Sequence, residues 1–118
     1  MGMEDMKKGV LIVEDDPMIA LDLEMAFEDA GFTVLSPAHD VMTAMEILRD
    51  QTVGCACLDF NLGSETSVPI AEALQNAGIP FVVSTGMAER ARDALHSIPC
   101  PIVSKPTNPA ALIGALAS

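Results

Sequence analysis

Five short, apolar, β-rich runs recur along the chain, each followed by a helical pattern. This alternation constrains the fold more than any single residue does. The runs are Gly9–Glu14, Thr33–Ser36, Gly54–Asp59, Pro80–Thr85 and Pro101–Ser104. Several are apolar at successive positions rather than at every second one, as strands covered on both faces should be. After the first run, Ile19, Leu23, Ala26, Phe27 and Ala30 share one helical face, opposite Asp22, Glu24, Glu28 and Asp29. Gly31 then supplies a left-handed stop. A second helix, about Val41 to Arg49, points Val41, Ala44, Met45 and Leu48 inward. The third runs from near Val68 to Asn76 and stops at Gly78, and the fourth, Ala88 to His96, has a thin apolar stripe. The fifth starts at the cap Asn108, with Pro109 at its first position, and presents Leu112, Ala115 and Leu116. Five such units with short connections predict an α/β fold, a parallel sheet with helices on both faces. A closed eight-stranded barrel needs about twice this length.

At 118 residues the chain is expected to form one domain over residues 9–118, behind an N-terminal tail of residues 1–8. Half of its residues are apolar, which suits a folded core and argues against disorder. No apolar run approaches a bilayer span, and the first ten residues lack the apolar middle of a signal peptide, so the expected location is the cytoplasm. Seventeen acids against six bases give a net charge of −11, which disfavours direct contact with nucleic acid. Cys55, Cys57 and Cys100 have no metal-ligand spacing and read as packing residues.

Ligands of an open parallel sheet bind beyond the carboxyl ends of its strands. There the chain places Glu14 and Asp15 (first strand), Asp59 (third), Ser84 and Thr85 (fourth) and Lys105 (after the fifth). The third acid of the first cluster, Asp16, precedes Pro17 and suits a helix cap. Carboxylates about 5 Å apart at an effective dielectric of ~20 repel by roughly 3 kcal/mol. A cluster of them therefore has to raise its pKa values, lean on Lys105 or hold a divalent cation, and a hard, oxygen-liking ion such as magnesium fits best.

Glu14-Asp15, Asp59, Thr85 and Lys105-Pro106, each at the end of its own strand, resemble the receiver domain of two-component response regulators over Val10 to Ala117. The resemblance implies a flavodoxin-like (βα)5 three-layer sandwich with strand order 2-1-3-4-5. It implies Asp59 as phosphoacceptor and magnesium held by Asp15, Asp59 and the Asn61 main-chain carbonyl, with Glu14 assisting through water. Lys105 then neutralises a phosphoryl oxygen, Thr85 and the Gly86 amide hydrogen-bond the phosphoryl group, and the Lys105–Pro106 peptide is a candidate for cis. The expected partners are a histidine kinase or histidine phosphotransfer protein and a downstream protein target. The expected catalysis is limited to the chain's own phosphorylation and dephosphorylation.

Some positions depart from the common pattern. Gly63-Ser64-Glu65-Thr66-Ser67 stands where a proline and an Asp-Gly turn are usual, and Ile102 where an aromatic is usual. Pro80 to Gly86 is similar to a subgroup of single-domain receivers with a Phe-x-x-x-Thr-Gly strand. Met87 offers no carboxylate to orient a water, which predicts slow self-dephosphorylation. A haloacid-dehalogenase-like phosphatase would want an acid where Asn61 stands, and a flavodoxin-type flavin site would not place three acids after the first strand. The stronger rival is a pseudo-receiver that binds partners without phosphorylation. His39 and His96 read as exposed bystanders.

Overall fold

The computed structural model describes residues 3–106 and 108–117, without the side chain of Met3. Met1 and Gly2 of the expected tail, and Ser118, lie outside the described residues. In chain order the elements are α1 (Met3–Met6), β1 (Val10–Val13), α2 (Pro17–Asp29), α3 (Val41–Asp50), β2 (Cys55–Asp59) and the short pair β3 (Asn61–Leu62) and β4 (Glu65–Thr66). Then follow α4 (Val68–Ala77), β5 (Phe81–Thr85), α5 (Ala88–Ala94), β6 (Ile102–Ser104) and α6 (Pro109–Ala117). The main sheet runs β1-β2-β5-β6 with every pair parallel, and β3-β4 is a separate antiparallel hairpin.

Alternate strand residues divide two cores. Leu11, Val13, Ala56, Leu58 and Val83 pack with Ala44 and Ile47 of α3, Ile70 and Leu74 of α4, and Ala91 of α5. On the opposite face Val10, Ile12, Cys55, Cys57 and Val82 pack with Leu23 and Phe27 of α2 and Leu112 and Leu116 of α6. This double cover explains why β1, β2 and β5 are apolar or buried throughout. Burial pushes the Cys55 and Cys57 thiols up to about 12, so they serve as packing groups.

The expected second strand is only partly formed. Its segment lies parallel to the free edge of β1 through two isolated bridges, Val10–Val34 and Val13–Ala38. Four residues there span three on β1, so the register slips by one, and Pro37 has no N–H to give. The order across the molecule is still the expected 2-1-3-4-5, with a broken edge in place of a fifth regular strand.

Helix boundaries follow local chemistry. Asp16 caps α2 by accepting from Met18 N–H (2.9 Å) and Ile19 N–H (3.4 Å), with Pro17 in the first turn. Gly78 ends α4 with φ of 71°, which glycine adopts without steric cost. Asn108 Oδ1 accepts from Ala111 N–H (2.8 Å) at the start of α6. Two inward assignments need correction. Ile19 and Met45 are exposed, while Ala20 and Ile47 occupy the buried positions. The fourth helix also stops earlier, at Ala94, and its chain turns to bury Leu95 and Ile98.

At the opposite end of the sheet, α1 docks with Met6 buried, and Cys55 Sγ donates to Met6 O (3.4 Å). Gly54 makes this docking possible. A Cβ there would collide with the main-chain oxygens of Asp5 and Met6. Gly54→Ala is accordingly expected to destabilise the fold by about 1–3 kcal/mol through overpacking. The chain contains neither Trp nor Tyr, so a melt followed by circular dichroism is the suitable measurement. An unchanged melting temperature would show that α1 is not packed as described.

Candidate functional site

The site forms where β1, β2, β5 and β6 end. The parallel register places Val13 beside Leu58 and Asp59 beside Ser84, so Glu14, one residue past β1, comes level with Asp59. Thr85 pairs with Ser104, and Lys105 follows directly, its N–H donating to Thr85 O (2.7 Å). Four strand ends thus deliver side chains far apart in sequence to one spot. The Lys105–Pro106 peptide is cis.

Oxygens of Glu14, Asp15 and Asp59 all lie within 4.8 Å of one another. Glu14 and Asp59 are buried, and Asp15 is exposed. Lys105 Nζ sits 3.2 Å from Asp59 Oδ1 and 3.7 Å from Glu14 Oε1. One amine thus faces three carboxyl groups, and the excess of negative charge bears most on the buried Glu14. Burial first, then a carboxyl–carboxylate hydrogen bond to Asp59, raise Glu14 to about 7, against the lowering effect of the Asp16 N–H on Glu14 Oε2 (3.2 Å) and of Lys105. For Lys105, burial opposes the charged amine, but Asp59, Glu14 and Asp15 together outweigh it and raise its pKa.

Thr85 is buried, and its Oγ1 accepts from Met87 N–H (2.9 Å). A hydroxyl that accepts still carries a proton to give. Gly86 and Asn61 are exposed at the rim. The site residues read from the sequence, Glu14, Asp15, Asp59, Thr85 and Lys105, are therefore gathered at one end of the sheet. A cavity of about 550 Å³ opens beside them between α2 and α6, lined by Glu14, Ser84 and Lys105 together with Ile19, Leu23 and Leu112.

Comparison with known proteins gives the family. The response regulator receiver domain family matches residues 10–117. The chain belongs to that family. The receiver is 30% identical over 109 residues to the phyllosphere-induced regulator PhyR of Methylorubrum extorquens, covering 90% of this chain but 41% of PhyR. It thus spans about two fifths of that relative. The solution structure of SdrG from Sphingomonas melonis is 36% identical, with a TM-score of 0.74 over 94% of this chain and 97% of SdrG. The receiver domain of Erythrobacter litoralis PhyR superposes with a TM-score of 0.83 at 22% identity over 94% of this chain and 88% of that one, a likeness of fold. Receiver domains of two-component systems work with kinases or phosphotransfer proteins and with downstream effectors. Among the described residues, no helix of the receiver is long and apolar enough to cross a membrane.

Two contacts at the site were not read from the sequence. His39, expected to be a bystander, places Nδ1 2.8 Å from Glu14 O, and Glu65 Oε2 accepts from Val41 N–H at 3.0 Å. The only signal for His39 lay in register, because pairing of the second run with the first brings Ala38 level with Val13.

Proposed function

We propose that this receiver works by phosphorylation. Asp59 accepts the phosphoryl group from a histidine kinase or histidine phosphotransfer protein in the cytoplasm, and the protein signals by changing how it binds a downstream target. The observation that carries this reading is the convergence of the Glu14, Asp15 and Asp59 oxygens within 4.8 Å, with Lys105 Nζ 3.2 Å from Asp59.

The donor set suits magnesium, because it is all hard oxygen, partly buried and over-supplied with negative charge. Asp15, Asp59 and the Asn61 carbonyl would hold the ion, with Glu14 acting through water. When bound, magnesium supplies positive charge to the phosphoryl oxygens. The other roles belong to the chain's own residues. An Asp59 carboxylate oxygen forms the new P–O bond as the P–N bond to the donor imidazole breaks and its electron pair leaves with the imidazole. Lys105 offsets charge on the phosphoryl oxygens and orients the Asp59 carboxylate. The Thr85 hydroxyl and Gly86 amide donate to the attached group. Drawing Thr85 toward the phosphoryl group would break its bond to Met87 N–H and so reach α5. Ile102 packs against the core where the family usually carries an aromatic, so a rotating ring at that position is not part of this chain's switch.

The outer face of α2 offers the downstream target an apolar contact beside the site. Met18, Leu21 and Met25 lie exposed along one stripe, flanked by Asp22, Glu24 and Glu28. Within this proposal the domain is a stand-alone receiver of the Phe-x-x-x-Thr-Gly kind, carried by the strand Phe81 to Thr85 and Gly86, and acts as effector, shuttle or phosphate sink. In this reading the receiver catalyses only its own phosphorylation and dephosphorylation.

The test is incubation with a small phosphodonor and magnesium, followed by detection of an acid-stable, base-labile adduct. Wild type is expected to label and Asp59→Asn not to label. Equal labelling of the two would exclude Asp59 as acceptor, and a complete absence of labelling would favour the pseudo-receiver. Chase of the labelled protein is expected to show a phosphoryl lifetime of minutes or longer, because Met87 presents no group that activates water. A half-life of seconds contradicts that expectation.

A further inference from the structure

We propose that the segment His39–Val41 is a strut that sets the geometry of the cation site from outside it, with His39 and Glu65 as positioning residues. This inference rests on the cation-dependent reading above. Glu14 is gripped on both sides of its main chain, its N–H donating to Ala38 O (3.0 Å) and its carbonyl receiving His39 Nδ1 (2.8 Å). A carbonyl only accepts, so the His39 proton sits on Nδ1. That carbonyl belongs to the peptide joining Glu14 to Asp15. The orientation of this peptide sets the direction in which the exposed Asp15 side chain leaves the main chain.

Two residues further on, the same segment holds the other side of the site. Val41 N–H donates to Glu65 Oε2, across 24 residues of sequence. Glu65 pairs with Leu62 in the hairpin, and Asn61, which pairs with Thr66, begins two residues after Asp59. The start of α3 already has its own cap, because Asp40 Oδ1 accepts from Thr43 N–H (2.8 Å). The Glu65 bond therefore adds a tie between the helix and the hairpin. Three consecutive residues, 39 to 41, thereby touch both parts of the chain that would supply cation ligands: Glu14-Asp15 and the Asn61 hairpin. Outer groups that orient ligands in this way commonly contribute 10–100-fold to metal affinity.

The test is magnesium affinity of the intact chain, read from the amide resonances of Asp15 and Asn61 during titration. His39→Ala and Glu65→Ala are each expected to weaken binding by about tenfold or more. His39→Asn keeps a donor near the Nδ1 position and Glu65→Gln keeps an acceptor, so both are expected to recover most of the affinity. A merely structural contact would lower the melting temperature of the alanine variants without moving the magnesium affinity. Affinities within twofold of wild type for both alanine variants, alongside loss of binding in Asp15→Asn, would overturn the strut and leave the cation site standing. No magnesium response in wild type would remove the cation reading and the strut with it. If His39→Ala does not fold, the comparison of Glu65→Ala with Glu65→Gln decides the matter alone.

Discussion

Lys105→Ala is expected to slow phosphorylation of Asp59 by a small donor by roughly 10²–10³-fold, the usual cost of removing one group that stabilises charge in a transition state. Lys105 Nζ is 3.2 Å from Asp59 Oδ1 and 3.7 Å from Glu14 Oε1, and no other Lys or Arg is in ion-pair contact with these carboxylates among the described residues. Excess magnesium cannot replace it, because the amine approaches from the end of β6 whereas the expected ligands lie at the end of β2 and on the loops after β1 and β2. Adduct formation against time at saturating magnesium measures the effect. Lys105→Arg is expected to restore little, since a planar guanidinium on a different stem cannot occupy the same point. A Lys105→Ala rate within threefold of wild type would show that the amine only balances the charge of the resting site.

The second large effect joins pH to magnesium. Glu14 is raised from 4.5 to about 7 by burial and by its bond with Asp59. A carboxyl raised in the folded state binds a proton that the unfolded chain has released. Its contribution to stability is thus fully present below pH 4.5 and is lost as pH rises through about 7. After allowance for solvent screening this amounts to on the order of 2 kcal/mol. Magnesium should reverse the trend, because a divalent charge beside the Glu14 carboxyl favours its ionised form and so competes electrostatically with the proton. At a hundred times its dissociation constant the ion should add about 2.7 kcal/mol, or on the order of 10 °C in melting temperature. That increment is expected in full near pH 8 and to shrink steadily toward pH 5.5. Melts followed by circular dichroism over this range, with Asp15→Asn as control, measure it. A magnesium increment that does not change with pH would mean that Glu14 holds no proton the cation displaces.

Much of the fold could be read from the chain because its signals are local. Asp16 before Pro17, Asn108 before Pro109 and the left-handed Gly78 mark helix ends through contacts within a few residues. Apolar runs marked β1, β2 and β5, since strands covered on both faces are apolar on both. Prediction failed where the outcome depends on a neighbour. The run Thr33–Ser36 carries ordinary strand signals, but the residue gained before Ala38 and the missing N–H of Pro37 break its ladder against β1. Ile19 and Met45 lie close to the helix faces assigned to them, and the packing of β1 and β2 against α2 and α3 selected Ala20 and Ile47 instead.

The sequence by itself determined the alternating α/β order and put Glu14, Asp15, Asp59, Thr85 and Lys105 at strand ends, because strand length and the choice of terminal residue are local matters. Only the tertiary structure decided how close those groups stand. It also decided that Glu14 is buried, which pushes its carboxyl upward, and that His39 and Glu65 reach residues some 24 or 25 positions away. Distance, burial and electrostatic coupling depend on the register between strands and on what covers them, and neither is written in any single stretch of the chain.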